Sequence, residues 1–287
     1  SESDRIRSLL ASQWAKAESL SVYVHVPFCQ VRCKFCEYVV VDGEDRERKD
    51  EDVDLLLREI ELYRPLVRGK LVVGFDVGGG TPTTLSLDHL GRITDAVRAN
   101  FALRPETVFS IETTPVIAAR EPEKIVALYA MGYRRMSMGM QTVSEKLLNQ
   151  LGREGAAHVY ERATANIRDA GCERFNIDLM YGFLHQSDED FEHTVRYAIG
   201  LAPEYITLYR NRYKGTKLEG EAEGVSLHRI MRQYRLAFEL LNEAGYVANL
   251  GKNTFSRVPG DLGTSDYLTC RVVEASPTSA LVSVRSR

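Results

Sequence analysis

The sequence has no apolar run long enough to span a membrane or to form a secretory signal peptide. It also lacks an excess of one charge: 37 Lys and Arg stand against 40 Asp and Glu, and neither sign forms a long run. The usual signature of nucleic-acid or anionic-membrane binding is therefore missing. We expect a cytoplasmic monomer that acts on a small organic molecule, with neither nucleic acid nor membrane as a partner.

Cysteine is scarce, and its number excludes a disulfide framework. Five cysteines are an odd number in a chain of 287 residues, and 44% hydrophobic residues provide a large core without covalent cross-links. Cys172 and Cys270 lie far from the other three and from each other, so we interpret them as ordinary residues. Internal repeats, low-complexity tracts and Gly/Ser linkers are also missing, which favours one main domain.

What the sequence does contain is an alternation of short apolar runs with amphipathic helical patterns, such as those at 50–67 and 188–202. The runs predict strands at 21–26, 71–77, 107–112, 134–139, 174–181 and 205–209. Such alternation predicts an α/β fold, a partial (β/α)6 TIM-like barrel with its chemistry at the carboxyl ends of the strands. The long helical pattern at 226–246 is typical of packing. We divide the chain into a helical lead-in, a core barrel and an atypical tail, at 1–20, 21–273 and 274–287.

Three of the cysteines form a C-x3-C-x2-C motif directly after the first predicted strand. Cys29, Cys33 and Cys36 have no fourth cysteine nearby. His25 could complete a zinc site, although structural zinc usually takes paired C-x2-C knuckles. A four-iron four-sulfur cluster ordinarily takes four thiolates, so three would leave one iron open to a substrate or cofactor.

A glycine run, "GGGTPT" from Gly78 to Thr83, follows the second predicted strand. Without Cβ atoms the backbone can approach a ligand, and free N–H groups can meet a carboxylate or hydroxyl. The alternative is a tight strand-to-helix turn in which Pro82 begins the helix. No G-K-[ST] follows and no G-x-G-x-x-G is present, so phosphate and dinucleotide binding are not indicated.

Taken in order, these motifs resemble the radical S-adenosylmethionine (SAM) enzymes of the coproporphyrinogen III oxidase-like branch. The resemblance also includes "SIETTP", "GYRRMSMGMQT", "LGREG", "NIDLMYG" and "LGTSDYLTCRV", and it covers about residues 20–273. It implies a barrel of radical SAM type and a 4Fe–4S cluster on Cys29, Cys33 and Cys36, with SAM on the open iron. Reductive cleavage of SAM then gives a 5'-deoxyadenosyl radical, and a flavodoxin or ferredoxin would supply the electron.

The resemblance further implies a set of cofactor-binding residues on strands and loops: Tyr23, Phe35, Gly79, Gly80, Thr81, Glu112, Gln141, Arg153 and Asp178. Tyr23, Glu112 and Asp178 are expected to act in catalysis as well. The residues alone leave alternatives: Glu112 could cap the next helix, and Arg153 could be a solvated helix residue. Asp178 interrupts an apolar run, where a buried acid without a partner would be costly, and this favours a role in the site.

The reaction itself stays open at this stage. In the true oxidases of this branch Gly and Cys follow the third cysteine, whereas Glu37 and Tyr38 follow it here, which argues against the decarboxylase. Heme chaperones of the branch carry an acid at that position. The segment 210–217 contains four basic residues, which either bind carboxylates of an acidic substrate or form a solvated face. Methyl or methylene transfer in natural-product biosynthesis, with one or two SAM molecules, is our leading expectation, and a heme chaperone or an oxidase-type decarboxylase is the alternative.

The resemblance ends abruptly near the C-terminus. After "GTSDYLTCRVVE" the family continues into a segment of the type AYLGxGxGAxS, whereas this chain reads "ASPTSALVSVRSR". Codons for residues 276–286, read one nucleotide out of phase, can encode the expected segment. The sequence therefore predicts a frameshifted, disordered tail on a truncated chain with an over-exposed substrate cavity.

Overall fold

The computed structural model describes residues 4, 5, 8, 9, 19–153, 155–249 and 251–261, and the backbone of 279–285. Its main feature is an eight-stranded sheet in the order β10-β1-β4-β5-β6-β7-β8-β9. All neighbours run parallel except β8 and β9. The strands are β1 Ser19–Val26, β2 Phe28–Cys29, β3 Val41–Asp42, β4 Leu71–Gly79, β5 Ala102–Thr113, β6 Tyr133–Gln141, β7 Arg174–Tyr181, β8 Tyr205–Arg210, β9 Thr254–Ser256 and β10 Ser279–Arg285.

Helices connect successive parallel strands, as a strand–helix alternation requires. They are α1 Arg46–Tyr63, α2 Leu87–Asn100, α3 Pro115–Arg120, α4 Pro122–Ala130, α5 Glu145–Leu151, α6 Ala157–Asp169, α7 Asp188–Gly200 and α8 Leu227–Glu243, with 3-10 turns at Pro82–Thr84 and Glu219–Gly224. None of the helices in the described part of the chain is long and apolar enough to cross a membrane.

The predicted α/β class and its six parallel strands are confirmed. Each predicted run corresponds to one of β1, β4, β5, β6, β7 and β8, with ends shifted by a few residues. The first helix differs more: it begins at Arg46 because the Asp45 side chain accepts from the Arg48 N–H at 3.0 Å, and it ends before Pro65.

The structure at the two ends of the chain differs in part from the predicted helical lead-in and disordered tail. Residues 4, 5, 8 and 9 are helical, and Ser19, which the sequence assigned to the lead-in, belongs to β1. Where the sequence analysis expected a disordered tail, residues 279–285 form β10, which pairs in parallel with β1. The run "SALVSVR" contains the β-branched residues Val282 and Val284, which favour a strand. Cys270 and the rest of the tail lie outside the described residues, and the domain boundaries stay predictions.

The core of the barrel is continuous and partly aromatic. Phe75 on β4 is fully buried, and its ring meets that of Phe109 edge to face, with centroids 4.9 Å apart. Tyr133 completes the group 6.1 Å from Phe75. Burial raises the pKa of Tyr133 far above its usual value, as expected for a phenol that water does not reach. This packing fixes β4, β5 and β6 relative to one another.

The strand register brings the candidate residues to one edge of the sheet. His25 and Val26 at the end of β1 lie opposite Gly78 and Gly79 at the end of β4. Further along the sheet, Glu112, Gln141 and Asp178 lie in the last half of β5, β6 and β7. Parallel strands place all these ends at the same face, which is where the cysteine motif also begins.

Replacing Phe75 with Ala should remove the centre of this aromatic packing. We expect a loss of about 3–5 kcal/mol in the free energy of unfolding, since the cavity left by a buried phenyl ring closes only in part. Chemical denaturation measures it. Leu62→Ala is the control, because Leu62 is 61% exposed and its loss should change stability by about 0.5 kcal/mol or less. Equal effects of the two variants would contradict the assigned core.

Candidate functional site

The cysteines lie on a loop of residues 27–40, the cysteine loop, which leaves the end of β1 and returns to it. The short strands β2 and β3 pair in parallel across it, Phe28 with Val41 and Cys29 with Asp42. The Val41 N–H donates to the Pro27 carbonyl at 2.9 Å, and the Gly43 N–H donates to the Cys29 carbonyl at 2.9 Å. These bonds close the base of the loop and hold its first cysteine beside the sheet.

The three thiols lie close enough to influence one another. Burial raises the pKa of Cys29, a hydrogen bond with the Thr81 hydroxyl at 3.4 Å offsets part of this, and Cys33 and Cys36 raise it further. Burial is also the main cause of a raised pKa at Cys36. Cys29 and Cys36 are half-buried and have raised pKa values, so a metal must displace their protons when it binds, as is usual for ligating thiols.

The separated positions of the three thiols are compatible with a 4Fe–4S cluster. Among the described residues, no group of three or more His, Cys, Asp or Glu side chains is arranged to hold a metal ion. The zinc alternative needed His25 in such a group, and the His25 ring instead lies near those of Tyr23 and Tyr38, with centroids 6.2 and 6.0 Å away. A 4Fe–4S cluster binds each thiolate to a different iron, so its ligands need not meet at one point.

The residues Gly78–Thr81, the glycine turn, pack directly on the cysteine loop. The Gly80 N–H donates to the Val26 carbonyl and the Thr81 N–H to the Phe28 carbonyl, both at 2.7 Å. A Cβ on Gly80 would lie 2.7 Å from the Phe28 carbonyl oxygen and 3.0 Å from the Cys29 sulfur. Only glycine fits this contact, which forms a cradle beside the first ligand.

One expectation for the glycine turn needs correction. The sequence analysis expected free N–H groups for a ligand, yet those of Gly79, Gly80 and Thr81 all donate to protein oxygens. The Glu112 carboxylate takes the Gly79 N–H, and the carbonyls of Val26 at the end of β1 and of Phe28 in the cysteine loop take those of Gly80 and Thr81. The turn can therefore offer a ligand its own carbonyl oxygens, which suit an amino group rather than a carboxylate.

Glu112 belongs to this group and does not cap a helix. Its carboxylate accepts from the Gly79 N–H at 3.2 Å. The cap of α3 comes instead from Thr114, whose hydroxyl accepts from the Ile117 N–H at 3.3 Å. A Cβ on Gly78 would lie 2.8 Å from a Glu112 carboxylate oxygen and 3.0 Å from the Tyr23 ring, so an aromatic and an acid meet above the turn.

Asp178 is held by a hydrogen-bond network across neighbouring strands. Its carboxylate accepts from the Ser137 hydroxyl at 2.9 Å and from the Asn176 amide at 2.8 Å. The same side-chain amide also donates to the Ser137 hydroxyl at 2.7 Å. The Thr207 hydroxyl donates to the side-chain carbonyl oxygen of Asn176 at 2.9 Å. Asn176 and Thr207 are 2% and 4% exposed, so this half of the network is shielded from water, while Ser137 and Asp178 are half-buried at the edge of the sheet.

The sequence patterns did not indicate that Ser137, Asn176 and Thr207 belong to the site. The available signal was Asn176 two residues before Asp178, because residues two apart in a strand face the same side. Two polar residues on one side of an otherwise apolar run indicate a polar interior.

Gln141 and Arg153 converge on Gly139. A Cβ there would lie 2.7 Å from the Gln141 amide nitrogen and 3.2 Å from the Arg153 guanidinium. Arg153 donates to the Gly139 carbonyl and to the Cys33 sulfur, the latter at 3.4 Å, so it is not a solvated helix residue. The Gln141 carbonyl oxygen is buried without a hydrogen-bond partner, and Gln141 itself has a positive φ of 67°. A buried acceptor left open in this way fits a ligand that can donate to it.

Phe35 anchors the cysteine loop in a small apolar group, the satellite cluster. This cluster consists of Leu147, Leu151, Met180, Phe183 and Leu218, with Phe35 and Tyr213 packed against it. The Phe35 and Phe183 rings meet edge to face with centroids 5.9 Å apart. The Lys34 N–H donates to the Leu151 carbonyl, and the Lys34 carbonyl accepts from the Lys217 N–H, both at 3.0 Å.

The basic segment, residues 210–217, therefore lies beside the cysteine loop. Besides the Lys217 bond to Lys34, an Arg212 guanidinium nitrogen lies 3.7 Å from a Glu37 carboxylate oxygen. The Arg212 side chain is 78% exposed, so this pair is a weak surface contact and leaves the cation accessible. The fold thus brings together the thiols, the glycine turn, three strand ends and a group of exposed cations.

Comparison with known proteins identifies a family. The model of the Radical SAM superfamily matches residues 23–198. The chain is 30% identical over 236 residues to the heme chaperone HemW of Escherichia coli, covering 80% of this chain and 61% of the chaperone. It is 33% identical over 192 residues to the oxygen-independent coproporphyrinogen III oxidase of the same organism, covering 66% of this chain and 41% of the oxidase. The chain thus spans about half the length of these relatives.

Among solved structures, coproporphyrinogen III oxidase (HemN) from Escherichia coli, a radical SAM enzyme, has the same fold. The TM-score is 0.81 at 24% identity, over 97% of this chain and 66% of that one. The heme chaperone HemW of Mycobacterium tuberculosis is a further relative, 32% identical over 244 residues, which cover 80% of this chain and 60% of the chaperone.

Replacing Cys29, Cys33 or Cys36 singly with Ala should abolish cluster assembly, because each thiolate would hold a different iron. Iron and sulfide content after anaerobic reconstitution measures this. Cys172→Ala is the matched control: this thiol is 2% exposed, and its loss removes a sulfur from the core while leaving the ligand set intact. A full cluster in any one of the three triplet variants would refute the assignment.

Replacing Asn176 with Ala should release the Asp178 carboxylate from its fixed orientation. We expect SAM affinity to fall by the equivalent of about 1–3 kcal/mol, the cost of leaving a buried charged group short of a partner. Equilibrium dialysis with labelled SAM measures it. Asn166→Ala serves as control, since the Asn166 amide donates to the Ala118 and Ala119 carbonyls and takes no part in the site. Equal SAM affinity in both variants would make the network purely structural.

Proposed function

The chain belongs to the Radical SAM superfamily, and from this we propose that Cys29, Cys33 and Cys36 hold a 4Fe–4S cluster whose open iron binds SAM. The observation that carries the proposal is the contact between the glycine turn and the cysteine loop, where Gly80 touches Cys29 and Glu112 accepts from the Gly79 N–H. This contact places the three thiolates beside the carbonyl oxygens of the glycine turn and the Glu112 carboxylate. These oxygens are acceptors that suit the amino group of an amino acid.

When bound, the cluster supplies the electron that cleaves SAM to methionine and a 5'-deoxyadenosyl radical, and the residues of this chain position and protect the reactants. The carbonyls of the glycine turn and the Glu112 carboxylate receive the amino group. Arg153, fixed by the Gly139 carbonyl, supplies a positive charge beside Cys33 for the carboxylate. Asp178 has an orientation fixed by Ser137 and Asn176, which suits a contact with a hydroxyl donor.

For the substrate or cargo we propose a carboxylate-bearing tetrapyrrole, with heme favoured, rather than a methyl acceptor. Two groups of relatives support this choice, one named as heme chaperones and the other as coproporphyrinogen III oxidases. A radical SAM methyltransferase, TsrM from Kitasatospora setae, shares only the fold, with a TM-score of 0.50 at 16% identity. The leading expectation from the sequence, methyl or methylene transfer, therefore has less support than its alternative, and a second SAM is not needed.

Two features of this chain favour the chaperone type over the decarboxylase. Glu37 follows the third cysteine, where the resemblance expects an acid in heme chaperones and glycine in the oxidases. The basic segment places Arg210, Arg212, Lys214 and Lys217 near the cysteine loop, where cations can pair with propionate groups. A flavodoxin or ferredoxin as electron donor and a cytoplasmic monomer complete the proposal.

Exchanging Arg212 and Lys214 together for Ala should weaken heme binding roughly 2- to 10-fold, the range for two exposed ion pairs. Spectroscopic heme titration of the reconstituted protein measures it. Arg235→Ala is the matched control, because Arg235 is 81% exposed on α8 and pairs with Glu239 at 2.8 Å. We expect that variant to bind heme like the unmodified chain.

The same preparation distinguishes the candidate reactions. Heme uptake without transfer of label from methyl-labelled SAM supports the chaperone type. Label recovered in an organic product would overturn it in favour of methyl transfer, and loss of carbon dioxide from coproporphyrinogen would favour the decarboxylase.

A further inference from the structure

The Thr81 hydroxyl is a polar group of the site that the proposed positioning of SAM does not use. It lies 3.4 Å from the Cys29 sulfur, and Thr81 is 7% exposed. Between a hydroxyl and a neutral thiol, either atom can donate the hydrogen bond. A cysteine that ligates a metal has lost its proton, so with Cys29 as a ligand only the hydroxyl can be the donor.

The backbone of Thr81 is fixed on both sides, which holds the hydroxyl at this sulfur. The Thr81 N–H donates to the Phe28 carbonyl at 2.7 Å, and the Thr81 carbonyl accepts from the Thr84 hydroxyl at 2.8 Å. The Thr84 carbonyl in turn accepts from the ammonium group of Lys49 at 2.8 Å, and Lys49 is only 9% exposed. The turn therefore has its orientation set by a buried cation as well as by the cysteine loop.

The other two thiols also have a hydrogen-bond donor beside them. Arg153 donates to the Cys33 sulfur at 3.4 Å. Burial raises the pKa of the Cys36 thiol, and a hydrogen bond from the Tyr38 backbone offsets part of that rise. Arg153 has a second task in the proposed site, and the Tyr38 donor belongs to the backbone. Thr81 is therefore the donor whose effect on a sulfur a substitution can isolate.

We propose that the Thr81 hydroxyl raises the reduction potential of the 4Fe–4S cluster by donating a hydrogen bond to the Cys29 thiolate. This inference rests on the proposed cluster site. Uptake of one electron makes the cluster and its thiolates more negative, and a donor stabilises the more negative form more strongly. Thr81 thereby eases electron transfer from the flavodoxin or ferredoxin that supplies the electron.

The test is a redox titration of the anaerobically reconstituted protein without SAM, followed by electron paramagnetic resonance. In Thr81→Val we expect the equilibrium constant for reduction to fall roughly 2- to 10-fold, the range for one hydrogen bond. This is a shift of about 20–60 mV to more negative potential, at about 59 mV per tenfold. Valine suits the position because the backbone of residue 81 is extended, with φ of −139° and ψ of 90°. Thr81→Ser keeps a hydroxyl and should restore most of the potential.

Two further variants make the test specific. Thr81→Ala also lacks the hydroxyl and needs less space beside Cys29, so it should shift the potential in the same direction. Thr94→Val is the matched control, since Thr94 is 1% exposed on α2 and its hydroxyl donates to the Leu90 carbonyl at 2.7 Å. This control should lose stability and keep the potential of the unmodified chain.

The outcomes separate this inference from the proposed function. An unchanged potential in Thr81→Val and Thr81→Ala overturns the inference and leaves the cluster site standing. Weaker SAM binding at an unchanged potential overturns it too, because the hydroxyl then contacts the cofactor. Equal shifts in the serine and valine variants would make packing the cause and the inference wrong.

Cluster assembly gives the remaining outcomes. If the two variants without a hydroxyl assemble no cluster while Thr81→Ser does, the hydroxyl acts in assembly and the assignment to the potential is wrong. If the unmodified chain assembles no cluster, the proposed function fails and the inference fails with it.

Discussion

The contact between the glycine turn and the cysteine loop is the constraint on which the rest of the site depends. It exists because β1 and β4 are parallel neighbours in a register that sets Val26 opposite Gly79. Two backbone hydrogen bonds of 2.7 Å then join the turn to the Val26 carbonyl at the end of β1 and to the Phe28 carbonyl in the loop, and the missing Cβ of Gly80 leaves just enough space for Cys29. A Cβ on residue 80 would displace the Cys29 thiol or break these hydrogen bonds. The position of this ligand therefore depends on the register between β1 and β4.

The remaining thiols depend on a second contact, made at the far side of the loop. Phe35 packs in the satellite cluster, and Lys34 is bonded through its backbone to Leu151 and Lys217. A loop of this length would lose considerable conformational entropy on closing around a cluster. Attachment at its base and near its third cysteine removes most of that cost before any metal binds, which is the usual role of a rigid shell around a functional site.

Much of this could be predicted from the sequence, because strand patterns and the cysteine and glycine motifs are local. The six parallel strands and the edge of the sheet where they gather the site follow from hydrophobic periodicity alone. The network of Ser137, Asn176 and Thr207 could not be predicted, since it depends on which residues of three strands lie opposite one another, and a shift of one residue would turn each side chain to the other face. The bonded N–H groups of the glycine turn depend equally on a contact between segments about 50 residues apart.

Several groups of this chain that call for a ligand share one location. Burial keeps the pKa of Cys29 and Cys36 raised, and the side-chain carbonyl oxygen of Gln141 is buried without a hydrogen-bond partner among the described residues. The unpaired amide oxygen costs stability, and a donor on a ligand would relieve that cost, whereas the neutral thiols become ligands when a metal displaces their protons. A ligand that binds only the folded chain stabilises it by mass action, so a site built from unmet groups couples folding to cofactor loading. The same groups therefore select what can bind at this edge of the sheet.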